Sequence, residues 1–192
     1  MLTISLLSGE AFLNSPVVSR KSYQNTWLTM KNDAKTQKPK SLLEKAVDKT
    51  DDVKGQFKTG LGAIKGNEKL KFVVPDTRKI TGSLDIDTST KEKYPLENRW
   101  DYAVEYDTET FFIEVHPGST SEIPTVLAKL DWLKKWLKEK APAINALKPK
   151  DKHPYHWVYT NKFAILPNSK YSRQLAQLNL TPVKQWDYSA LG

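Results

Sequence analysis

The sequence predicts an α/β domain built on a mixed central sheet, and three observations support this class. Apolar residues recur at helical spacing in two segments, which flank a region rich in β-branched and aromatic residues that favours strands. A turn-forming stretch inside that region predicts an antiparallel hairpin. A helix between two strands usually makes a right-handed crossover that sets them parallel. The predicted core order is therefore α-β-β-β-α-β, with helices packed on the sheet.

The chain of 192 residues suits one domain with an extension. Residues 1–40 carry no readable periodicity and are predicted to be an N-terminal extension, whereas residues 41–192 are predicted to form the single domain. Ser41-Leu42-Leu43-Glu44 has the form of a capping box, in which the serine and glutamate side chains each bond a free backbone N–H. It predicts a helix that ends near residue 60, because several glycines lie close together in that part of the sequence.

Short segments rich in β-branched residues come next. Lys71–Val74 and Ile80–Asp87 are predicted to be strands, bounded by Pro75 and by a polar loop at Thr88–Lys93.

The hairpin is the next element of the predicted sheet. Asp101–Tyr106 and Phe111–His116 are predicted to be its strands, and Asp107–Thr110 its turn. Aspartate is favoured at the first position of a turn because its side chain can bond the backbone two residues later.

The second long helix follows a second Ser-x-x-Glu pattern, Ser119-Thr120-Ser121-Glu122, and is predicted to extend to about Lys140. A proline- and lysine-containing linker at Pro142–Lys152 separates it from a predicted buried strand, Tyr155–Leu166. A short closing helix is predicted at Ser172–Leu178.

Composition limits the possible functions. The 30 Lys and Arg against 22 Asp and Glu give a net charge of +8, which suits a polyanionic partner or a lysine-rich solvated surface.

No cysteine is present, so disulfides, thiolate zinc sites and cysteine nucleophiles are excluded, as suits a reducing cytosol. No apolar run reaches the ~18 residues of a membrane span. Leu2–Leu7 is too short for a signal peptide. We therefore expect a cytoplasmic protein without a membrane partner.

The predicted hairpin carries the residues that favour chemistry. Side chains alternate along a strand, so Phe112, Glu114 and His116 share one face. With Thr108 and Glu109 as the central turn residues, Asp101 lies opposite His116 and diagonal to Glu114, on that same face. Two carboxylates ~4 Å apart repel by about 4 kcal/mol at an effective dielectric of 20, so a proton or a cation must neutralise them. Mg²⁺ favours such a carboxylate pair.

The predicted element order, with Asp101 on one strand and Glu114-Val115-His116 on its hairpin partner, resembles the core of the PD-(D/E)XK nuclease superfamily over residues 41–166. The resemblance implies a restriction-endonuclease-like fold and an endonuclease that cleaves phosphodiester bonds of DNA with Mg²⁺ or Mn²⁺. It also implies that Asp101, Glu114 and the Val115 carbonyl bind the metal. Glu44 is the nearest match to an assisting acid that many members carry on the first helix. Many members dimerise, so a homodimer is possible.

His116 departs from the family pattern, because it stands where members carry the lysine that orients the attacking water. A histidine with an ordinary pKa of about 6.5 is mostly neutral at pH 7, although it can act as a general base or bind a metal. Alternatively, Lys129 on the following helix reaches the site. The third possibility is a catalytically inactive protein of this fold, which binds nucleic acid or another protein.

Each candidate also has a purely structural interpretation. Asp101 can cap a strand, Glu114 can pair with Arg99, and His116 can be a core histidine bonded to a turn.

Two pairs of residues and one basic set are further functional candidates. His153 and His156 lack a third ligand at zinc spacing, and Trp132 and Trp136 fit the core or an interface better than a base-stacking surface. A basic set suits phosphate contacts beside the site, or a solvated surface. This set is Lys148, Lys150, Lys152, Lys162, Lys170 and Arg173.

Overall fold

The computed structural model of the chain describes residues 39–191. The strands are β1 (Lys58–Thr59), β2 (Phe72–Val73), β3 (Ile80–Asp85), β4 (Tyr102–Tyr106), β5 (Glu109–His116), β6 (Tyr155–Tyr159) and β7 (Trp186–Asp187). The helices are α1 (Leu42–Asp48), α2 (Ile86–Thr90), α3 (Ile123–Glu139), α4 (Pro142–Asn145) and α5 (Lys170–Gln177). Apart from its last two residues, the predicted extension 1–40 lies outside the described residues.

The main sheet has five strands in the order β1-β3-β4-β5-β6. The first three pairings are antiparallel, and β5 pairs with β6 in parallel across the crossover that contains α3. The antiparallel hairpin and the parallel crossover are therefore confirmed, and the chain has a mixed α/β fold. Strands β2 and β7 form a separate two-stranded parallel sheet. Within residues 39–191, no helix combines the length and the apolar character that crossing a bilayer requires.

Each face of the sheet packs against its own hydrophobic cluster. On one face, Ala103 and Phe112 pack with apolar residues of α1, α3, α4 and α5, including Leu130 and Leu133. On the other face, Val104, Phe111 and Ile113 pack with the region around Trp186. The alternation predicted for the hairpin therefore holds: even-numbered residues of β5 point to the helices.

The first helix is shorter than predicted. Ser41 caps it as expected, because its Oγ accepts a bond of 3.2 Å from the Glu44 N–H. The helix ends at Asp48 and not near residue 60. Beyond it the chain forms successive turns, in which a backbone N–H donates to the carbonyl three residues earlier, as from Val53 to Thr50. The apolar residues of these turns keep a helix-like spacing although no helix continues there.

Two boundaries after β2 also differ from prediction. Strand β3 ends at Asp85 and not at Asp87, because the Asp85 carboxylate accepts from the Thr88 N–H and so caps α2. This helix covers the first part of the predicted loop at Thr88–Lys93. The predicted strand Lys71–Val74 is reduced to β2.

The prediction of a second capping box at Ser119–Glu122 is wrong. Ser119 makes no capping bond; its hydroxyl bonds the Ser121 hydroxyl instead, and a 3₁₀ turn at Thr120–Glu122 leads into α3. Pro124 in the first turn of α3 suits a helix start, because its missing N–H would have no partner there.

The C-terminal part is more broken than predicted. Helix α4 lies in the expected linker Pro142–Lys152, and β6 ends at Tyr159, well before Leu166. The chain then bends so that Ala164 bridges to Ser119, which ends the regular pairing with β5. The closing helix α5 is confirmed, beginning two residues earlier than predicted.

Candidate functional site

The hairpin register brings Asp101 directly opposite Glu114. The central turn residues are Asp107 and Thr108, with φ of 50° and 72°, and not Thr108 and Glu109. Tyr102 pairs with Ile113, so Asp101, one residue earlier, faces Glu114 and not His116. The partner of Asp101 is displaced by two residues from the predicted one. An even displacement preserves the face, so both carboxylates still point to the helices.

The two acidic residues are tied together through the backbone as well as by register. The Asp101 N–H donates to Glu114 Oε2 at 3.1 Å, and the Val115 N–H donates to Asp101 Oδ2 at 2.9 Å. Each carboxylate therefore has one oxygen held by a backbone donor. The other oxygen of each is free to meet a cation.

Lys129 supplies that cation. It projects from α3 toward the sheet, and its Nζ lies 3.1 Å from Asp101 Oδ1 and also donates to Glu114 Oε1. The ammonium thus sits between the two carboxylates. The sequence predicts that a cation neutralises the two carboxylates, and in the structure the Lys129 ammonium is that cation.

His116 extends the set in the other direction. Its Nδ1 lies 3.3 Å from Glu114 Oε1, and its Nε2 lies 2.8 Å from Glu122 Oε2. The order Asp101, Lys129, Glu114, His116 and Glu122 therefore alternates acid and base, and we call these five residues the ionic chain. The Trp157 indole N–H donates to the His116 carbonyl at 3.2 Å, which fixes the end of β5.

The ionic chain is most buried at its centre, Glu114, and most exposed at Glu122. The Glu114 side chain is fully buried, those of Asp101 and Lys129 are 15% and 14% exposed, and that of Glu122 is 32% exposed. Charges in such a site are screened less by water than surface pairs, so each substitution has a larger effect than at the surface.

Burial and neighbouring charge shift the pKa values in the ionic chain. Burial, and then repulsion from Glu114, raises the pKa of Asp101 to about 7. Burial lowers the pKa of Lys129, but attraction to Glu114 and Asp101 outweighs it and the net shift is upward. The hydrogen bond to Glu114 is the main cause that raises the pKa of His116. The charged form of each base is therefore favoured, and Asp101 can exchange a proton near neutral pH.

The donors at this site fit a hard divalent cation only in part. Two carboxylate oxygens already converge on one positive group, which is the arrangement Mg²⁺ requires. However, Lys129 occupies the point between them, and within residues 39–191 no cluster of three or more His, Asp or Glu side chains could hold a metal ion. A metal held by Asp101 and Glu114 would have to displace the ammonium.

The structure separates other candidates from the site. Glu44 pairs with Lys40 at 3.8 Å, on a helix that contacts the hairpin at Glu105, near its turn. Arg99 pairs with Asp87 at 2.9 Å, so it is not the partner of Glu114.

The basic set divides into two groups. Leu147 and Pro154 bond the start of β5, so Lys148, Lys150 and Lys152 lie near the hairpin turn and not beside the site. Thr110 and Glu114 are about 14 Å apart along the strand at ~3.4 Å per residue. Lys162, Lys170 and Arg173 follow β6, whose last residue pairs with His116. Their binding roles remain predictions.

The two tryptophans of α3 face a different groove. Trp136 is buried and donates to Asp52, and the half-buried Trp132 stacks on it with ring centroids 5.9 Å apart. With Tyr94 and neighbouring polar residues they line a groove of about 520 Å³.

His153 and His156 are packed near each other, with ring centroids 5.9 Å apart. Both Nε2 atoms are buried without a partner among the described residues. Within residues 39–191 they belong to no cluster of His, Asp or Glu that could hold a metal ion.

Sequence reasoning missed Glu122 as a member of the site, because the Ser-x-x-Glu pattern assigned it to a helix cap. Its carboxylate bonds His116 instead. The available signal was its position six residues after His116, across a Pro-Gly turn that can fold the chain back.

Comparison with family models, with curated proteins and with solved structures found no match to this chain.

Proposed function

We propose that this protein is a metal-dependent nuclease of restriction-endonuclease-like fold that hydrolyses phosphodiester bonds of DNA. The observation that supports the proposal is the convergence of the Asp101 and Glu114 carboxylates on one cation, at the open end of a hairpin flanked by helices. Burying two acids together is costly unless they serve a shared positive group. The basic balance of the chain suits the polyanionic substrate.

Each residue has a defined task in this proposal. Asp101, Glu114 and the Val115 carbonyl would hold Mg²⁺ or Mn²⁺, which when bound stabilises charge on the phosphate and acidifies a bound water. Lys129 takes the role of the family lysine, moving from between the carboxylates to hydrogen-bond the attacking water or the phosphate. His116 is a positioning residue that contacts the same Glu114 oxygen, Oε1, as Lys129 does.

The test is cleavage of plasmid and single-stranded DNA with Mg²⁺ or Mn²⁺. We expect Glu114→Gln and Lys129→Met each to lower the rate at least 100-fold, in line with the loss of a group that stabilises the transition state. Two matched variants, Glu105→Gln on the same hairpin face and Lys138→Met on the same helix, should retain the rate. Cleavage that persists unchanged in Glu114→Gln would remove the enzyme proposal.

A second candidate function is favoured by one observation. Lys129 already neutralises the acidic pair without a metal, so the same scaffold can be a catalytically inactive module that binds nucleic acid or a protein. Binding of DNA that depends on salt but is unaffected by EDTA, with no cleavage in any metal, would select this candidate.

A further inference from the structure

One segment of the chain beside the ionic chain contains basic and aromatic residues and no acidic residue. From Lys152 to Trp186 the sequence contains no Asp or Glu. Within that stretch Lys162, Lys170 and Arg173 are all exposed. This is the longest stretch of the described sequence without an acidic residue, so no residue within it would repel a polyanion.

Aromatic and apolar groups interleave with these cations. Phe163 is 41% exposed, Leu166 74% and Tyr171 38%. Phe163 is supported from beneath by Tyr159, with ring centroids 5.6 Å apart and ring planes inclined by 37°. A supported ring that leaves one face in solvent is a surface on which a base can stack.

The surface is anchored next to the ionic chain. The Ala164 N–H donates to the Gly118 carbonyl at 2.9 Å, and the Thr120 hydroxyl donates to the Ala164 carbonyl at 3.1 Å. A Cβ at Gly118 would lie 2.8 Å from the Cβ of Tyr159, so only glycine permits this approach. The segment that holds Phe163 thus packs on the link between His116 and α3.

The helix that follows adds further cations and an aromatic ring. Lys170, Tyr171 and Arg173, with Gln174 and Gln177, form an exposed polar face of α5. The buried Leu175 of that helix and Ile165 belong to the same hydrophobic cluster, which fixes α5 against the domain. Two buried residues, Ile165 two positions after Phe163 in sequence and Leu175 on α5, therefore hold both parts of this segment against the same core.

We propose that this surface, Tyr159–Arg173, binds single-stranded nucleic acid and leads it to the ionic chain. Unpaired bases expose the aromatic faces that Phe163 and Tyr171 can stack on, whereas the bases of a duplex are already stacked on one another. The cations contact the phosphates. The inference defines the substrate class of the proposed nuclease and rests on that proposed function.

The test measures binding of the full chain to a labelled 20-nucleotide oligo(dT) and to a 20-base-pair duplex in EDTA, by fluorescence anisotropy. We expect tighter binding to oligo(dT), and a Kd raised about fivefold or more by Phe163→Ala. The double variant Lys162→Ala, Arg173→Ala should reduce the salt slope by about 1.4, from ~0.7 per lost contact. Leu96→Ala and Lys138→Ala, which alter one exposed apolar group and one exposed cation elsewhere, should match the wild type.

The outcomes separate the two proposals. Equal binding of duplex and oligo(dT), or an unchanged Kd in Phe163→Ala with the fold intact by circular dichroism, would overturn the inference even if the protein cleaves duplex DNA. Binding with the expected properties but without cleavage in Mg²⁺ or Mn²⁺ would overturn the nuclease and leave the single-strand surface supported.

Discussion

Two carboxylates are buried on the same face of the β4–β5 hairpin, one at each end. Glu114 at the open end is 0% exposed, and Glu105 near the turn is 1% exposed. Glu114 contacts Lys129, His116 and a backbone N–H. Glu105 accepts one bond, from the Leu42 N–H at 3.1 Å, and its Oε2 has no partner among the described residues.

The difference shows that burial of an acid does not by itself define a site. Glu105 serves the fold, because it satisfies a backbone donor at the start of α1. Glu114 is set among charges, and it is linked through His116 to Glu122, whose side chain is 32% exposed. Chemistry is therefore expected at the open end and stability effects at the turn end.

The histidines repeat the contrast. His116 gains two carboxylates, and its pKa rises. His156 lies on the other face of the sheet beside Phe111 and Trp186, and burial lowers its pKa to about 4, with a smaller contribution from His153. The neighbouring carboxylates favour the charged form of the His116 ring, and burial favours the neutral form of the His156 ring.

The largest expected effect on stability is at Lys129. Lys129→Met leaves Asp101 and Glu114 facing each other without a cation, and removing one partner of a buried ionic group costs about 3 kcal/mol of unfolding free energy. The loss should be largest at pH 8 and smaller at pH 5.5, where a proton on Asp101 relieves the repulsion. Urea denaturation at both pH values measures it.

Lys138→Met is the matched control, because Lys138 is exposed on the same helix, and it should change stability by less than about 0.5 kcal/mol. An equal loss in both variants would mean that the ionic chain contributes nothing specific to the fold.

The next effect concerns pH and His156. Its pKa is about 4 in the fold and about 6.5 in the unfolded chain, so the unfolded chain binds more protons between these values. Stability is retained above pH 6.5 and falls as pH decreases toward 4, by about 3 kcal/mol from this group. His156→Gln should remove that part of the slope. A pH profile of unfolding free energy identical to that of wild type would contradict the buried neutral ring.

A smaller contrast separates the two glutamates. Glu105→Gln keeps an acceptor for Leu42 and adds a donor for the unpaired Thr110 hydroxyl opposite it, so stability should change by less than about 1 kcal/mol. Glu114→Gln removes a charge that faces Lys129 and His116, and should cost about 2 kcal/mol. Thermal unfolding of both variants compares them, and a reversed order would invalidate the comparison.

The smallest effect lies in the turn itself. Thr108 is a β-branched residue at φ of 72°, a conformation that glycine adopts without strain. Thr108→Gly should stabilise the protein by about 0.5–1 kcal/mol despite the added freedom of the unfolded chain. A lower midpoint in urea would show that the threonine side chain has a contact that outweighs the strain.

Several local features could be predicted from the sequence, and others could not. The cap at Ser41, the hairpin and the helix after it depend on residues close together in the chain. The turn was misplaced by one residue, because Asp107 and Thr108 do not have the Asn-Gly pattern that predicts a two-residue turn with positive φ. The strand after Tyr159 was overextended, because its apolar residues serve a bend that packs on Ser119.

The sequence by itself determined the α/β class and the common face of Asp101 and Glu114. Side chains alternate with a period of two, so an even error in register leaves the face unchanged. Only the tertiary structure decided that Lys129 joins the two carboxylates, that Glu122 completes the ionic chain, and that Lys148 lies at the far end of β5. These depend on how a helix and a crossover pack on the sheet, through contacts between residues distant in the chain that no local pattern specifies.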